Sequence, residues 1–291
     1  MVRPSLRRFA RRQLARWRPL AAADLAETPA PTAPSSPSVD GPGDQPGTWP
    51  VGTPASYELA DPELALLPPD LLHPDLRAAL AGDPASILRP LGADLYGLPV
   101  LTEDACAALL AAIDDLEEAA ARDRVRLRRP NSMNQSGAVA ADLGLVAAAQ
   151  RLVEDVVRPL AAAAFAEVGG ASLDHQHAFV VEYGAGRDLD LDLHVDDAEV
   201  TLNLCLSDDF EGGALRFEGR RCRRHWQDYA SREELIDVPQ RPGLAVLHAG
   251  AHRHRALPTS TGRRTNLIVW CRSSDYRAVP EPGCPPWCGS H

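Results

Sequence analysis

The chain has 291 residues, 45% of them hydrophobic, which is enough to bury a substantial core. A formal net charge of −10 argues against general affinity for nucleic acid, because phosphate neutralisation needs a basic surface. Apart from histidine, every basic residue is arginine, which excludes Schiff-base catalysis and a lysine-bearing phosphate loop.

Residues 1–18 carry seven arginines and no acid, with Leu6, Phe9, Leu14 and Trp17 able to share one helical face. Two readings stand: a basic amphipathic segment making a weak membrane or partner contact, or a disordered tail. Pro29 to Pro54 is rich in Pro, Gly, Ser and Thr and reads as a linker, so residues 1–54 are expected to be disordered. The apolar run Leu20–Ala23 stops at Asp24, too short for a secretory signal. No stretch reaches the roughly 18–20 apolar residues of a membrane span. Six scattered cysteines without a signal read as reduced thiols, so a cytoplasmic location is expected.

Residues 55–90 hold short apolar runs broken by Pro62, Pro68, Pro69, Pro74 and Pro84, implying a lead-in of short helical turns. Thr102 is the expected N-cap of a helix whose first turn carries Glu103 and Asp104 and whose apolar face carries Leu109, Ile113 and Leu116. A second helical stretch spans 144–168, with Pro159 expected to end or kink part of it. After Gly169-Gly170 the apolar period shortens, and residues 177–183, 199–205, 214–218, 244–248 and 265–271 read as short strands. Helices first and short strands later predict an α+β unit whose strands form a sandwich or barrel.

The window Asp188–Asp197 alternates acids and aliphatics. On a strand it places Asp188, Asp190, Asp192, His194 and Asp196 on one face, with Leu189, Leu191, Leu193 and Val195 on the other. A calcium loop is rejected, because Leu193 stands where its turn needs glycine. His194-x-Asp196 instead presents an imidazole and a carboxylate to one ion, and His248, His252 and His254 are candidates for a third ligand. Two histidines and one carboxylate form the facial set of non-haem iron sites. His175-x-His177 offers a competing three-histidine site with His194, against a structural or surface role for the pair. At the C-terminus, Cys284, Cys288 and His291, with Cys271 nearby, have the residue types of a zinc knuckle but irregular spacing, so free thiols are the competing reading. The arginines of segment 220–226 hint at an acidic substrate or partner, against a solvated loop.

The run His194-x-Asp196, then Gly212-Gly213-Ala-Leu, then His254 followed ten residues on by Arg264, resembles the iron(II)- and 2-oxoglutarate-dependent oxygenases of the prolyl and lysyl hydroxylase type. Stretches 95–110, 129–137, 177–183, 193–206, 210–217 and 264–272 extend the resemblance over about residues 90–290. It implies a double-stranded β-helix (jelly-roll) core flanked by N-terminal helices, with a dioxygenase domain at 91–275 and a cysteine-containing tail at 276–291. It also implies that His194, Asp196 and His254 hold iron(II), while Arg264 receives the far carboxylate of 2-oxoglutarate. Tyr183, Thr201 and Asn203 are candidate hydrogen-bonding neighbours of that co-substrate. By the same register His248, His252 and Arg263 are decoys. Dioxygen would be the second co-substrate and ascorbate the reductant, giving succinate, carbon dioxide and a hydroxylated C–H bond on an unspecified substrate. A metal-binding jelly roll without turnover is the alternative.

Overall fold

The computed structural model describes residues 68–279 and 283–290. The arginine-rich segment, the Pro-rich linker and His291 lie outside the described residues. In chain order the elements begin with helix α1 (Pro74–Ala81) and strands β1 (Arg89–Gly92) and β2 (Leu95–Pro99). Helix α2 (Glu103–Arg122) follows, and the Thr102 hydroxyl accepts the Ala105 N–H at 3.2 Å, as a cap should. After β3 (Gly137–Val139), the expected second helix is divided into α3 (Val146–Leu152) and α4 (Arg158–Ala164) by a widened π-type turn at Val153–Val157. Pro159 has no N–H to give, and it is tolerated because it falls in the first turn of α4.

The strand region continues with β4 (His175–Gly184), β5 (Leu191–His194), β6 (Val200–Cys205), β7 (Phe210–Gly212), β8 (Leu215–Arg220), β9 (Leu235–Val238), β10 (Leu244–Ala249), β11 (His252–Ala256) and β12 (Thr259–Arg272), before the short helix α5 (Ser274–Ala278). The larger sheet runs β1-β2-β10-β6-β12-β4-β3, with β7 attached to β12, and the smaller one runs β5-β11-β8-β9. All these pairings are antiparallel.

Alternation along the strands separates two cores. Leu202 and Leu204 of β6 and Leu267 and Val269 of β12 face the helices, meeting Leu109, Ile113 and Leu116 of α2. From the other face of the same sheet, Phe179, Val181, Val246 and Ile268 meet Leu215, Phe217 and Ala256 of the smaller sheet. Each fully buried side chain of this kind contributes about 1.5–3 kcal/mol. The architecture is a double-stranded β-helix with helices laid on its outer face, as the resemblance implies. Among the described residues, no helix is long and apolar enough to cross a membrane.

The acidic window departs from simple alternation. Its strand covers only Leu191–His194, and the register against β11 shifts between His254 and Ala256. That bulge lets Leu191 and His194 line the same cavity although their positions have opposite parity. Leu189 and Val195 are 56% and 37% exposed, so the aliphatics do not share one buried face. Asp188 turns back instead of lying on a solvated edge, and its carboxylate accepts from the Gln135 and Ser136 N–H groups at 2.8 and 3.2 Å.

Candidate metal centre

His194 and His254 are direct cross-strand partners on β5 and β11, with ring centroids 4.3 Å apart. Asp196 lies just past the end of β5, where its backbone N–H donates to Gly250 O at 3.0 Å. Its Oδ1 is 3.7 Å from His194 Nε2 and 3.8 Å from His254 Nε2. The other oxygen, Oδ2, accepts the Thr201 hydroxyl at 2.7 Å. Carboxylate orientation is thus set from behind, leaving Oδ1 toward the imidazoles.

The tautomers follow from the outer contacts. His194 Nδ1 lies 2.7 Å from Asp192 O and His254 Nδ1 lies 2.9 Å from His252 O. A carbonyl can only accept, so each Nδ1 carries the proton and each Nε2 presents a lone pair inward. Burial drives His194 down to about 4, with His254 adding to the effect. Burial would raise Asp196, but the three imidazoles around it and the Thr201 hydroxyl outweigh that and hold it below the ordinary carboxylate value. At neutral pH the cluster therefore presents a neutral, unprotonated His194 Nε2 and an anionic oxygen. The three donor atoms lie within 4.8 Å of one another, a facial set suited to one divalent ion.

The other candidate histidines stand apart from this set. His248 is buried behind Asp196, its Nε2 3.6 Å from Oδ2 and its Nδ1 3.0 Å from Ala249 O. His252 packs edge-on to Phe217 at 5.1 Å. Exposed His175 sits against Asp174, and His177 Nε2 meets Pro130 O at 3.2 Å.

The cluster forms one end of a cavity between the two sheets, and Arg264 forms part of its wall. Arg264 is 1% exposed. Its Nη1 donates a long 3.4 Å bond to Asn266 Oδ1, while Nε and Nη2 have no hydrogen-bond partner among the described residues. Its guanidinium carbon lies 4.2 Å from the centre of the Tyr183 ring. Burial pushes the Arg264 pKa below its ordinary value. A buried cation with unsatisfied donors is costly, and a carboxylate entering the cavity would relieve that cost bidentately. Arg263 instead pairs with Asp114 at 2.7 Å.

Tyr183 and Asn203 line the same cavity; Thr201 is absent from its lining, its hydroxyl being committed to Asp196. Sequence reasoning missed several supporting residues. Asn131 folds its own turn by accepting the Met133 and Asn134 N–H groups at 2.9 and 2.8 Å, which sets Asn134 Nδ2 3.1 Å from the Tyr183 hydroxyl. Asn266 donates to Asn203 Oδ1 at 2.7 Å and to Gln240 Oε1 at 2.9 Å. Gly213 has φ +64°, and a Cβ there would come within 2.9 Å of Arg264 Nε. Asn203 was named from sequence; for Asn266 the available signal was a polar residue inside the predicted apolar strand 265–271.

Residues 56–170 match the model of an OGFOD2-like domain. The chain is 45% identical over 197 residues to the 2-oxoglutarate and iron-dependent oxygenase domain-containing protein CP2 of Arabidopsis thaliana, covering 67% of this chain and 50% of that protein. It is 39% identical over 195 residues to the 2-oxoglutarate and iron-dependent oxygenase domain-containing protein 2 of Homo sapiens, covering 67% and 52% respectively. The chain thus spans about half the length of the curated relatives it matches. Among solved structures, a prolyl hydroxylase from Trichoplax adhaerens in complex with a hypoxia inducible factor peptide fragment aligns at 13% identity with a TM-score of 0.49, covering 73% of this chain and 99% of that one.

Proposed function

This chain is a relative of the 2-oxoglutarate and iron-dependent oxygenase domain-containing proteins over 67% of its length, and we propose that it is an iron(II)- and 2-oxoglutarate-dependent dioxygenase that hydroxylates a C–H bond of a protein side chain or small molecule. The observation that carries this reading is Arg264: a buried guanidinium with two unsatisfied nitrogens, sharing one cavity with the His194, Asp196 and His254 cluster. A cavity that held a metal without an acid co-substrate would have no use for that cation. This disfavours the alternative of a metal-binding jelly roll without turnover.

In this proposal His194 Nε2, Asp196 Oδ1 and His254 Nε2 hold iron(II), leaving about three of six octahedral positions for small molecules. When bound, iron, 2-oxoglutarate and dioxygen supply oxidative decarboxylation to succinate and carbon dioxide coupled to C–H hydroxylation, with ascorbate as reductant. The chain's own contribution is placement. Arg264 grips the far carboxylate of 2-oxoglutarate with its planar fork, and the Tyr183 ring beneath keeps the guanidinium from swinging away. Asn203, tied by Asn266, supplies a polar wall, while Val181 and Ile268 keep water from the space between. Thr201 keeps Asp196 from rotating. Asn131, Met133 and Trp270 line the same cavity, and the Trp270 indole N–H, without a partner among the described residues, is placed to donate to a bound substrate.

A cytoplasmic location stays part of the same proposal. The arginine-rich N-terminal segment stays a proposed weak contact with a membrane or partner.

Anaerobic equilibrium binding of labelled 2-oxoglutarate tests the proposal. Binding is expected to require ferrous iron, to be lost in His194→Ala and to be weakened roughly 10- to 150-fold in Arg264→Ala. Binding that is undiminished without metal and in Arg264→Ala overturns it.

A further inference from the structure

We propose that Cys222, His225, Cys284 and Cys288 form a second metal centre, a structural zinc(II) site that fastens the C-terminal tail to the sheet carrying His254. The tail was read from sequence as grouping Cys284 and Cys288 with His291 and Cys271. Cys271 instead lies in β12, buried in the core beneath the helices. The partners come from the loop after β8, where Cys222-x-x-His225 meets the tail.

The donor atoms stand at tetrahedral spacings. His225 Nδ1 is 3.3 Å from Cys222 Sγ, 3.3 Å from Cys284 Sγ and 3.4 Å from Cys288 Sγ. Cys222 and Cys284 sulfurs are 3.7 Å apart. With Zn–S near 2.3 Å and Zn–N near 2.0–2.1 Å, a regular tetrahedron has S···S edges of about 3.8 Å and S···N edges of about 3.5 Å. The sulfurs are too far apart for a disulfide, whose bond is about 2.05 Å. Hydrogen bonding does not account for the cluster either. One Nδ1 carries a single proton or a single lone pair, so it cannot serve three thiols at once. A shared cation reconciles all these approaches.

The donor set identifies the metal and its role. Three thiolates and an imidazole are soft and borderline ligands, which favour zinc over iron(II) held by oxygen donors. Four protein donors close the coordination sphere, the signature of a structural rather than a catalytic zinc. The surroundings fit as well. The Cys222 N–H points at Cys288 Sγ at 3.5 Å, and the Gly289 N–H donates to Arg220 O at 2.9 Å. Arg220, bonded to Asp94, lies over the Trp287 ring at 4.6 Å, while Arg221 is held by Glu234 at 2.7 and 2.8 Å. The arginines of this segment that hinted at an acidic partner are thus, for these two, part of the frame around the site. Arg220 pairs with His252 in the ladder where Phe217 pairs with His254, so the clamp sits at the end of the strands that position the other centre.

The test is metal analysis of the full chain, independent of any activity. After dialysis against a chelator strong enough to strip iron, about one zinc per chain is expected to remain, with zinc-edge X-ray absorption reporting three sulfurs and one nitrogen. The same zinc should persist in a His194→Ala/Asp196→Ala double variant and fall to near zero in Cys284→Ser/Cys288→Ser. His225→Cys should retain it as a four-sulfur site. Zinc that is missing, or bound only through nitrogen and oxygen, overturns the proposal. Undiminished zinc in the double cysteine variant also overturns it. If that variant does not fold, the absorption spectrum of the unaltered chain decides alone.

Discussion

Arg264 and Tyr183 face each other across the β12–β4 ladder, and the guanidinium carbon lies 4.2 Å from the centre of the phenol ring. The ring face gives a buried cation partial compensation of about 1–2 kcal/mol, less than an ion pair would, and two guanidinium nitrogens remain without partners among the described residues.

Removing that cation should damage co-substrate binding and little else. A hydrogen bond to a charged group contributes about 1.5–3 kcal/mol, so Arg264→Ala should raise the 2-oxoglutarate requirement roughly 10- to 150-fold. Iron affinity, measured separately, should be unchanged. Arg264→Lys should recover only part of the loss, because an ammonium cannot reproduce the fork. An unaltered requirement in Arg264→Ala would assign the far carboxylate to another residue.

His252 and His254 sit two residues apart, but only His254 points its Nε2 at Asp196. His254→Ala should abolish iron binding and succinate formation. His252→Ala removes a ring packed on Phe217 and should lower stability while retaining most iron at saturating metal. Calorimetric iron titration of both variants checks this, and the reverse pattern would mean the ligand register is shifted.

Thr201 acts on the metal through Asp196. Thr201→Val keeps the shape and removes the 2.7 Å hydrogen bond to Oδ2. Losing such an outer contact weakens metal binding about 10- to 100-fold, so the iron affinity of Thr201→Val should fall within that range. The 2-oxoglutarate requirement at saturating iron should stay near that of the unaltered chain. A variant with unchanged iron affinity would show that the carboxylate needs no support.

The metal-free protein should lose stability in mild acid. Burial holds His194 and His248 near 4 and His252 near 2, all depressed below the ordinary 6.5. Below pH 6.5 the unfolded chain takes up protons that the folded chain refuses, so stability present above that pH is lost progressively toward pH 4. Each unit of depression is worth about 1.4 kcal/mol. Thermal melting of the iron-stripped chain should fall steeply between about pH 6.5 and pH 4; a flat profile there would contradict the burial of these imidazoles.

Much of the fold was legible because its signals were local. Thr102 announces α2 and Pro159 announces the interrupted second helix, since capping and a missing N–H act within one turn. The period-two stretches gave β4, β6, β10 and β12 of the larger sheet and β8 of the smaller one, while the short edge strands β1, β3 and β7 carry too few residues to show a period. The acidic window was less legible, because a bulge set by β11 and an Asp188 bonded to a distant turn are tertiary facts. The same holds for Asn134, which reaches Tyr183 from 49 positions away, and for Cys222, 62 positions from Cys284. Spacing alone pairs neighbours in sequence, so it grouped Cys284 and Cys288 with His291 and overlooked Cys222 and His225.

Succinate formation from 2-oxoglutarate by the purified chain, with ferrous iron and ascorbate, is the most direct test of the central proposal. Slow turnover without a prime substrate is expected, abolished in Asp196→Ala. Succinate produced equally by Asp196→Ala would contradict the proposal, as would a silent unaltered chain that also fails to bind iron and 2-oxoglutarate together without oxygen.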